Sequence, residues 1–505
     1  MEKSLYQLLI SVFKDRRFNF INTPKESFLL TLMLFILAII PFLLVTKVLF
    51  LKEPLIWPDE ALFVDVAHNL LRNGVMGSSL LGDLMEGYMS YAYWTPPLIY
   101  YFLAFWMGIF GEEIEVIRML PFIFSILTLF LLFLISKKLF NSYFLAFLSV
   151  LLVSLNYSFS NITRVARMEI FTFFFILASL WTFLLAYEKK RVVFLFISGL
   201  CIGFAILSHP LGAIAIPIIV FSLLLEKISL KTKLKNICYL FIPLFSLLSL
   251  WLLSMKDSFN YFLTQYQQQL IRKDIQIPNV FIFFNNDSAW RILFLCYLFL
   301  FILLLIQFLR LRKFSHFFIL IGLVVSSIIL TYGKEIWYFA YFQPFIALAS
   351  VVLVKDLIKK ISFSSFATLI TTCIIVFINL NLTFNDIKNA GTKEKDYHQF
   401  VNLIKSNLPK ESSVFLTCAP DPYFDLRKEK GLTLYEFPPI LVSEESYKAL
   451  LNSVDFIVFN MIVELDPVPV LGNYINNNTS ETISIDQPSG YRAKIFKLVP
   501  KDKRI

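Results

Sequence analysis

Apolar runs of about 20 residues recur along the chain, separated by short polar turns. Each is long enough to cross, as a helix, a hydrocarbon core about 30 Å thick. The pattern predicts spans at roughly 27–50, 114–135, 143–160, 168–187, 192–208, 210–225, 236–254, 289–309, 315–332, 336–354 and 362–383, about eleven in all. A membrane barrel would show segments of about 10 residues with alternating polarity, and none is evident. The fold class is therefore a polytopic α-helical membrane protein.

Two regions break the pattern. Residues 51–113 are too long for a plain turn. HNLLRNG and the run after WTPP predict short helices along the membrane surface, and PPLIYYFLAFWMGIFG is apolar but too short to span. Beyond 384 polar residues return. SVFLT (413–417) and VDFIVFN (454–460) read as strands, and ETISI–QPSG–YRAKIFKLV reads as a hairpin. Helical patterns lie at 395–408 and 443–452. The expected organisation is a transmembrane domain over 1–384 and a small extracytoplasmic α/β domain over 385–505, with no internal repeat.

Composition agrees: 57% of residues are hydrophobic and 16% charged, against roughly a quarter charged in soluble domains. The net charge of +10 does not call for nucleic acid, because Lys and Arg fall in alternate short loops. Lys14, Arg16, Arg17 and Lys25 precede the first span. Lys137–Lys138, Lys189–Arg191, Lys227–Lys235, Arg310–Lys313 and Lys355–Lys360 follow in alternation. With the N-terminus cytoplasmic this obeys the positive-inside rule, and an odd span count leaves the C-terminus outside. The N-terminal MEKSLYQLLISVFKDRRFNF reads as a basic amphipathic segment rather than a cleavable signal. The five cysteines are scattered and indicate neither a disulfide framework nor a zinc site.

That topology places the chain's unusual charges at one leaflet boundary: Asp59 and Glu60 in WPDEALFVD, Arg164, Arg167 and Glu169 in TRVARMEI, His209 in LSHPLG, and Lys334 in YGKEIWYF. Ionisable groups at a membrane edge are costly and often mark function. Each has a plainer reading: solvated loop acids, a structural ion pair, an acid at a helix start, a helix-end His, a snorkelling Lys. Glu86 (with Asp83) reads first as a loop acid, Arg272 as part of a solvated amphipathic helix, and Tyr93 and Trp94 as an interfacial aromatic belt or a substrate lining. A hydroxyl nucleophile needs a carboxylate to take its proton, and a departing phosphate needs fixed positive charge. Arg164, Arg167, His209 and Lys334 are the candidates for the latter.

The order of motifs resembles a known family. It runs from the outer-loop Asp-Glu through aromatic-x-Pro-Pro, KKLF, RxxRMEI and GLCIGFAILSHPLG to KEIWYFAYFQPF. Over about 27–350 the chain is similar to the polyprenyl-phosphate-dependent GT-C glycosyltransferases, in particular the protein O-mannosyltransferase and lipid A aminoarabinose transferase group. The resemblance implies a sugar donor on a polyprenyl phosphate, an acceptor hydroxyl on protein, lipid or glycan, transfer on the outer face, and no nucleotide at that step. It implies the general base or acceptor-orienting role for Asp59, with Glu60 beside it, and matches the second-loop acid to Glu169. Many relatives carry an acid and a Lys before the Pro of the interfacial helix, where this chain has Trp94 and Thr95, and a Lys where it has His209. A divalent ion could use Asp59 and Glu169, but no full ligand set is legible. A transporter or flippase instead predicts charges near the midplane and paired broken helices. A scaffold predicts that neither acid matters.

Overall fold

The computed structural model describes residues 24–82, 87–273, 288–333, 336–359, 363–391, 396–437, 443–460, 469–487 and 490–504. The N-terminal basic segment, Asp83, Glu86 and Lys334 lie outside them, as does the side chain of Arg272.

In lipid a backbone must satisfy its own polar groups, so the apolar runs become helices. Among the described residues seven are long and apolar enough to cross a membrane: Phe28–Leu49, Ile114–Phe140, Glu169–Lys189, Leu230–Ser254, Ser288–Leu311, Trp337–Lys355 and Phe366–Ala390. Shorter apolar helices at Tyr143–Ser154, Val192–Ser208, Pro210–Leu224 and Phe314–Ile328 occupy the remaining expected segments. Three expected spans are interrupted. The 143–160 segment stops at Ser154 because Asn156 caps a new short helix, Tyr157–Ile162, its side chain accepting from the Phe159 N–H. The 210–225 and 336–354 segments each begin as 3-10 turns, Pro210–Ile214 and Ile336–Tyr341.

Within 51–113, Pro58–Asn73 forms one helix, ended by Gly74 at φ 69°, a left-handed position that suits glycine. Leu98–Phe110 forms a second helix of 13 residues, about 20 Å long and short of a bilayer core.

The basic ends cluster on one face. Lys138 pairs with Glu188 and Lys190 with Glu226, while Lys355 donates to the Phe140 carbonyl. The C-terminal polar region sits at the opposite end of Ile114–Phe140. There Lys428 pairs with Glu113, Arg427 with Glu112, and His398 with Glu115.

That region holds a five-stranded sheet of order β2-β1-β3-β5-β4, with β1 Ser413–Thr417, β2 Thr433–Glu436, β3 Phe456–Phe459, β4 Thr479–Asp486 and β5 Arg492–Leu498. β1 pairs in parallel with β2 and β3, and β4–β5 is the antiparallel hairpin expected from its turn. β2 was not foreseen, since four residues ending in Glu436 show too little alternation. The helix Phe363–Gly391 runs past residue 384 before the polar region begins. The sheet is stitched to the first loop: the Asp421 N–H donates to the Ile56 carbonyl at 2.8 Å, and the Glu436 N–H to Leu80 at 3.0 Å.

Candidate active site

The stretch that raises the chemical question is the start of Pro58–Asn73. Trp57 is extended and Pro58 supplies the preset φ of a helix's first turn. The next two residues, Asp59 and Glu60, leave that turn in different directions.

Glu60 turns inward. Its Oε1 accepts from Arg118 Nε at 3.1 Å and the Ala166 N–H at 2.8 Å, and its Oε2 from Arg118 Nη2 at 2.5 Å. Both side chains are 0% exposed. Arg118 also caps the carbonyls of Phe50 and Pro54 at 3.1 and 3.3 Å. The pair ties the loop positions Phe50, Pro54 and Ala166 to Ile114–Phe140. This corrects the expectation that Glu60 joins Asp59 as a reacting group: its oxygens are occupied and sealed from any acceptor. The sequence reading passed over Arg118, whose signal was one Arg inside the apolar stretch EVIRMLPF.

Asp59 faces the site and is 29% exposed. Arg167 Nη1 donates to its Oδ2 at 2.8 Å, while Arg167 Nη2 and Nε donate to Glu169 Oε1 at 2.9 and 3.2 Å. One guanidinium thus joins two acids 110 residues apart in sequence. Burial opposes its charge, but Glu169 and Asp59 more than offset that and hold Arg167 above its ordinary pKa. Trp337 covers the guanidinium at 5.6 Å, and Tyr341 donates to the Glu169 carbonyl at 3.2 Å.

His209 caps the 3-10 turn that follows Val192–Ser208. Its Nδ1 accepts from the Leu211 N–H at 3.1 Å, and its Nε2 shares a contact of 3.4 Å with the Tyr338 hydroxyl. Tyr338 in turn lies in the field of Arg167. Arg164 is not brought to this cluster. It is buried on Ser160 Oγ and Asn161 Oδ1 at 2.8 and 2.9 Å, and its main counter-charge is Asp386.

Tyr93 and Trp94 belong to an aromatic wall, which comes near Asp59 through Tyr100. Trp94 stacks on Tyr88 with centroids 5.6 Å apart and meets Tyr100 edge-on. Tyr100 lies within the field of Asp59. Tyr93 donates from its backbone to Gln265 Oε1 at 2.6 Å and shares a hydrogen bond with Ser258 at 2.7 Å. The helix Phe259–Lys273 therefore closes one side of the wall.

Among the described residues no group of three or more His, Cys, Asp or Glu could hold a metal. Asp59 and Glu169 do not fit a resident ion as they stand, because the Arg167 guanidinium already occupies the space between them.

A fixed guanidinium and a part-exposed carboxylate side by side are groups that an acyl, phosphoryl or glycosyl transfer can use. The comparisons show the fold. The dolichyl-phosphate-mannose-protein mannosyltransferase family matches residues 95–253, about a third of the chain. The oligosaccharyltransferase of Archaeoglobus fulgidus superposes with a TM-score of 0.56 at 14% identity, covering 85% of this chain and 69% of that one. ArnT from Cupriavidus metallidurans, solved with undecaprenyl phosphate, superposes at 0.55 and 12%, covering 93% and 98%. This chain has the GT-C glycosyltransferase fold. The GT-C likeness covers the membrane helices and the C-terminal sheet together. No curated protein sequence matches the chain.

Proposed function

We propose that this GT-C protein transfers a sugar from a polyprenyl-phosphate carrier to an acceptor hydroxyl at the extracytoplasmic face. The observation that carries the reading is the Arg167 bridge, which holds Asp59 part-exposed beside a fixed positive charge. The basic helix ends on the far side from the C-terminal sheet support a cytoplasmic N-terminus and an external sheet. Charge gathered at one end, rather than at the midplane, disfavours a transporter.

In this reading the acceptor O–H gives its proton to Asp59 Oδ1, the oxygen not engaged by Arg167. The acceptor oxygen bonds to the anomeric carbon as the carbon–oxygen bond to phosphate breaks. Lipid phosphate leaves with the electron pair, and the anomeric centre inverts. Arg167, with the N–H of His209, meets the charge that builds on the phosphate. Glu169 holds Arg167 in place, and Glu60 with Arg118 fixes the turn that carries Asp59.

The test is release of polyprenyl phosphate by purified protein in lipid nanodiscs, offered a panel of polyprenyl-phosphate sugars and hydroxyl acceptors. One donor should turn over, and Asp59→Asn should slow it by about 10²–10⁴-fold. Turnover of the variant at the wild-type rate would sink the base assignment.

A further inference from the structure

The C-terminal sheet places two carboxyl groups behind the Asp59 turn that the reaction above does not use. Asp421 lies four residues beyond the end of β1, and Glu436 is the last residue of the adjacent, parallel β2. Both are 0% exposed. Each spends one oxygen locally: Asp421 Oδ1 accepts from the Tyr423 N–H and Glu436 Oε1 from the Phe437 N–H, both at 2.8 Å. The other oxygens, Oδ2 and Oε2, meet no N–H or hydroxyl donor among the described residues. The two side chains lie close enough to act on each other, and a carboxyl pair can bond directly only by sharing a proton. Their backbones reach the first loop on either side of Asp59, Asp421 to Ile56 and Glu436 to Leu80.

We propose that the Asp421–Glu436 pair positions Asp59: the shared proton locks two strand ends together, and these hold both flanks of the loop that presents the carboxylate. The proposal rests on the reading of Asp59 as the base. Burial raises both groups first of all, Asp421 to about 6 and Glu436 well above its usual value. The titratable and charged groups facing the pair are Asp59, Glu60 with its partner Arg118, Tyr397, Cys418 and Tyr423. When the shared proton leaves, two buried like charges repel and the loop is released.

The experiment is kcat and KM against pH on the full chain in nanodiscs, with the donor identified by the panel. Asp421→Asn and Glu436→Gln replace the shared proton with an N–H that does not titrate. Each should move the alkaline limb of kcat upward by about one pH unit or more, with donor KM within about twofold. Asp421→Ala removes the link and should lower kcat about tenfold at neutral pH. Wild-type alkaline limbs in both amide variants would overturn the proposal, as would wild-type kcat in a folded Asp421→Ala. If the alanine variant does not fold, the amide variants decide. Failure of the underlying reading appears separately, as wild-type turnover by Asp59→Asn, and removes the proposal with it.

Discussion

Asp59 and Glu60 are chemically alike and adjacent, yet the fold gives them opposite surroundings. Glu60 is sealed with Arg118 at 0% exposure, whereas Asp59 keeps 29% exposure and one uncommitted oxygen. The difference comes from helix geometry: successive side chains leave a helix about 100° apart, so one acid meets Ile114–Phe140 and its neighbour meets the site. A buried, bidentate pair specifies position more than it adds net stability. A half-exposed pair can exchange its partner for substrate.

Breaking the sealed pair should have the larger effect. Arg118→Ala strands a buried carboxylate and should cost roughly 3–5 kcal/mol, read as loss of folded protein in fluorescence-detected gel filtration. Asp59→Asn should leave that profile unchanged while abolishing most turnover, as given above. Arg167→Lys sharpens the contrast further. An ammonium cannot bridge Asp59 and Glu169 as the guanidinium does, so kcat should fall about 10–100-fold with the fold intact.

The smallest effect belongs to the clasp between the C-terminal sheet and the membrane helices. His398 bridges Glu115 at 2.7 Å and Asp425 at 2.6 Å. Burial lowers its pKa, but these two carboxylates more than offset that, and the net shift is upward. A raised pKa means the clasp is complete below the ordinary imidazole value of about 6.5 and weakens as pH rises through the shifted one. Hydrogen exchange in residues 397–405 should therefore quicken modestly with pH beyond the intrinsic rate change, and His398→Phe should remove that dependence. At 42% side-chain exposure solvent screening keeps the effect small.

The membrane architecture was legible because lipid leaves a chain few choices. Apolar length fixes the helices, and Lys and Arg in alternate loops fix the face on which Asp59, Arg167 and Glu169 gather. The β4–β5 hairpin was legible from its turn. The breaks at Asn156 and at the two 3-10 turns were not, because local capping interrupts a run whose hydropathy is continuous.

Sequence by itself determined the helical membrane body and the polar C-terminal α/β region, since these follow from periodicity and polarity along the chain. Only the tertiary structure decided that Glu60 is buried on Arg118, that Arg164 belongs to Asp386 rather than to the site, and that Asp421 and Glu436 stand behind Asp59. The physical reason is that a charge finds its partner through space. Those partners lie 58, 222 and hundreds of residues away along the chain, where no local pattern can announce them.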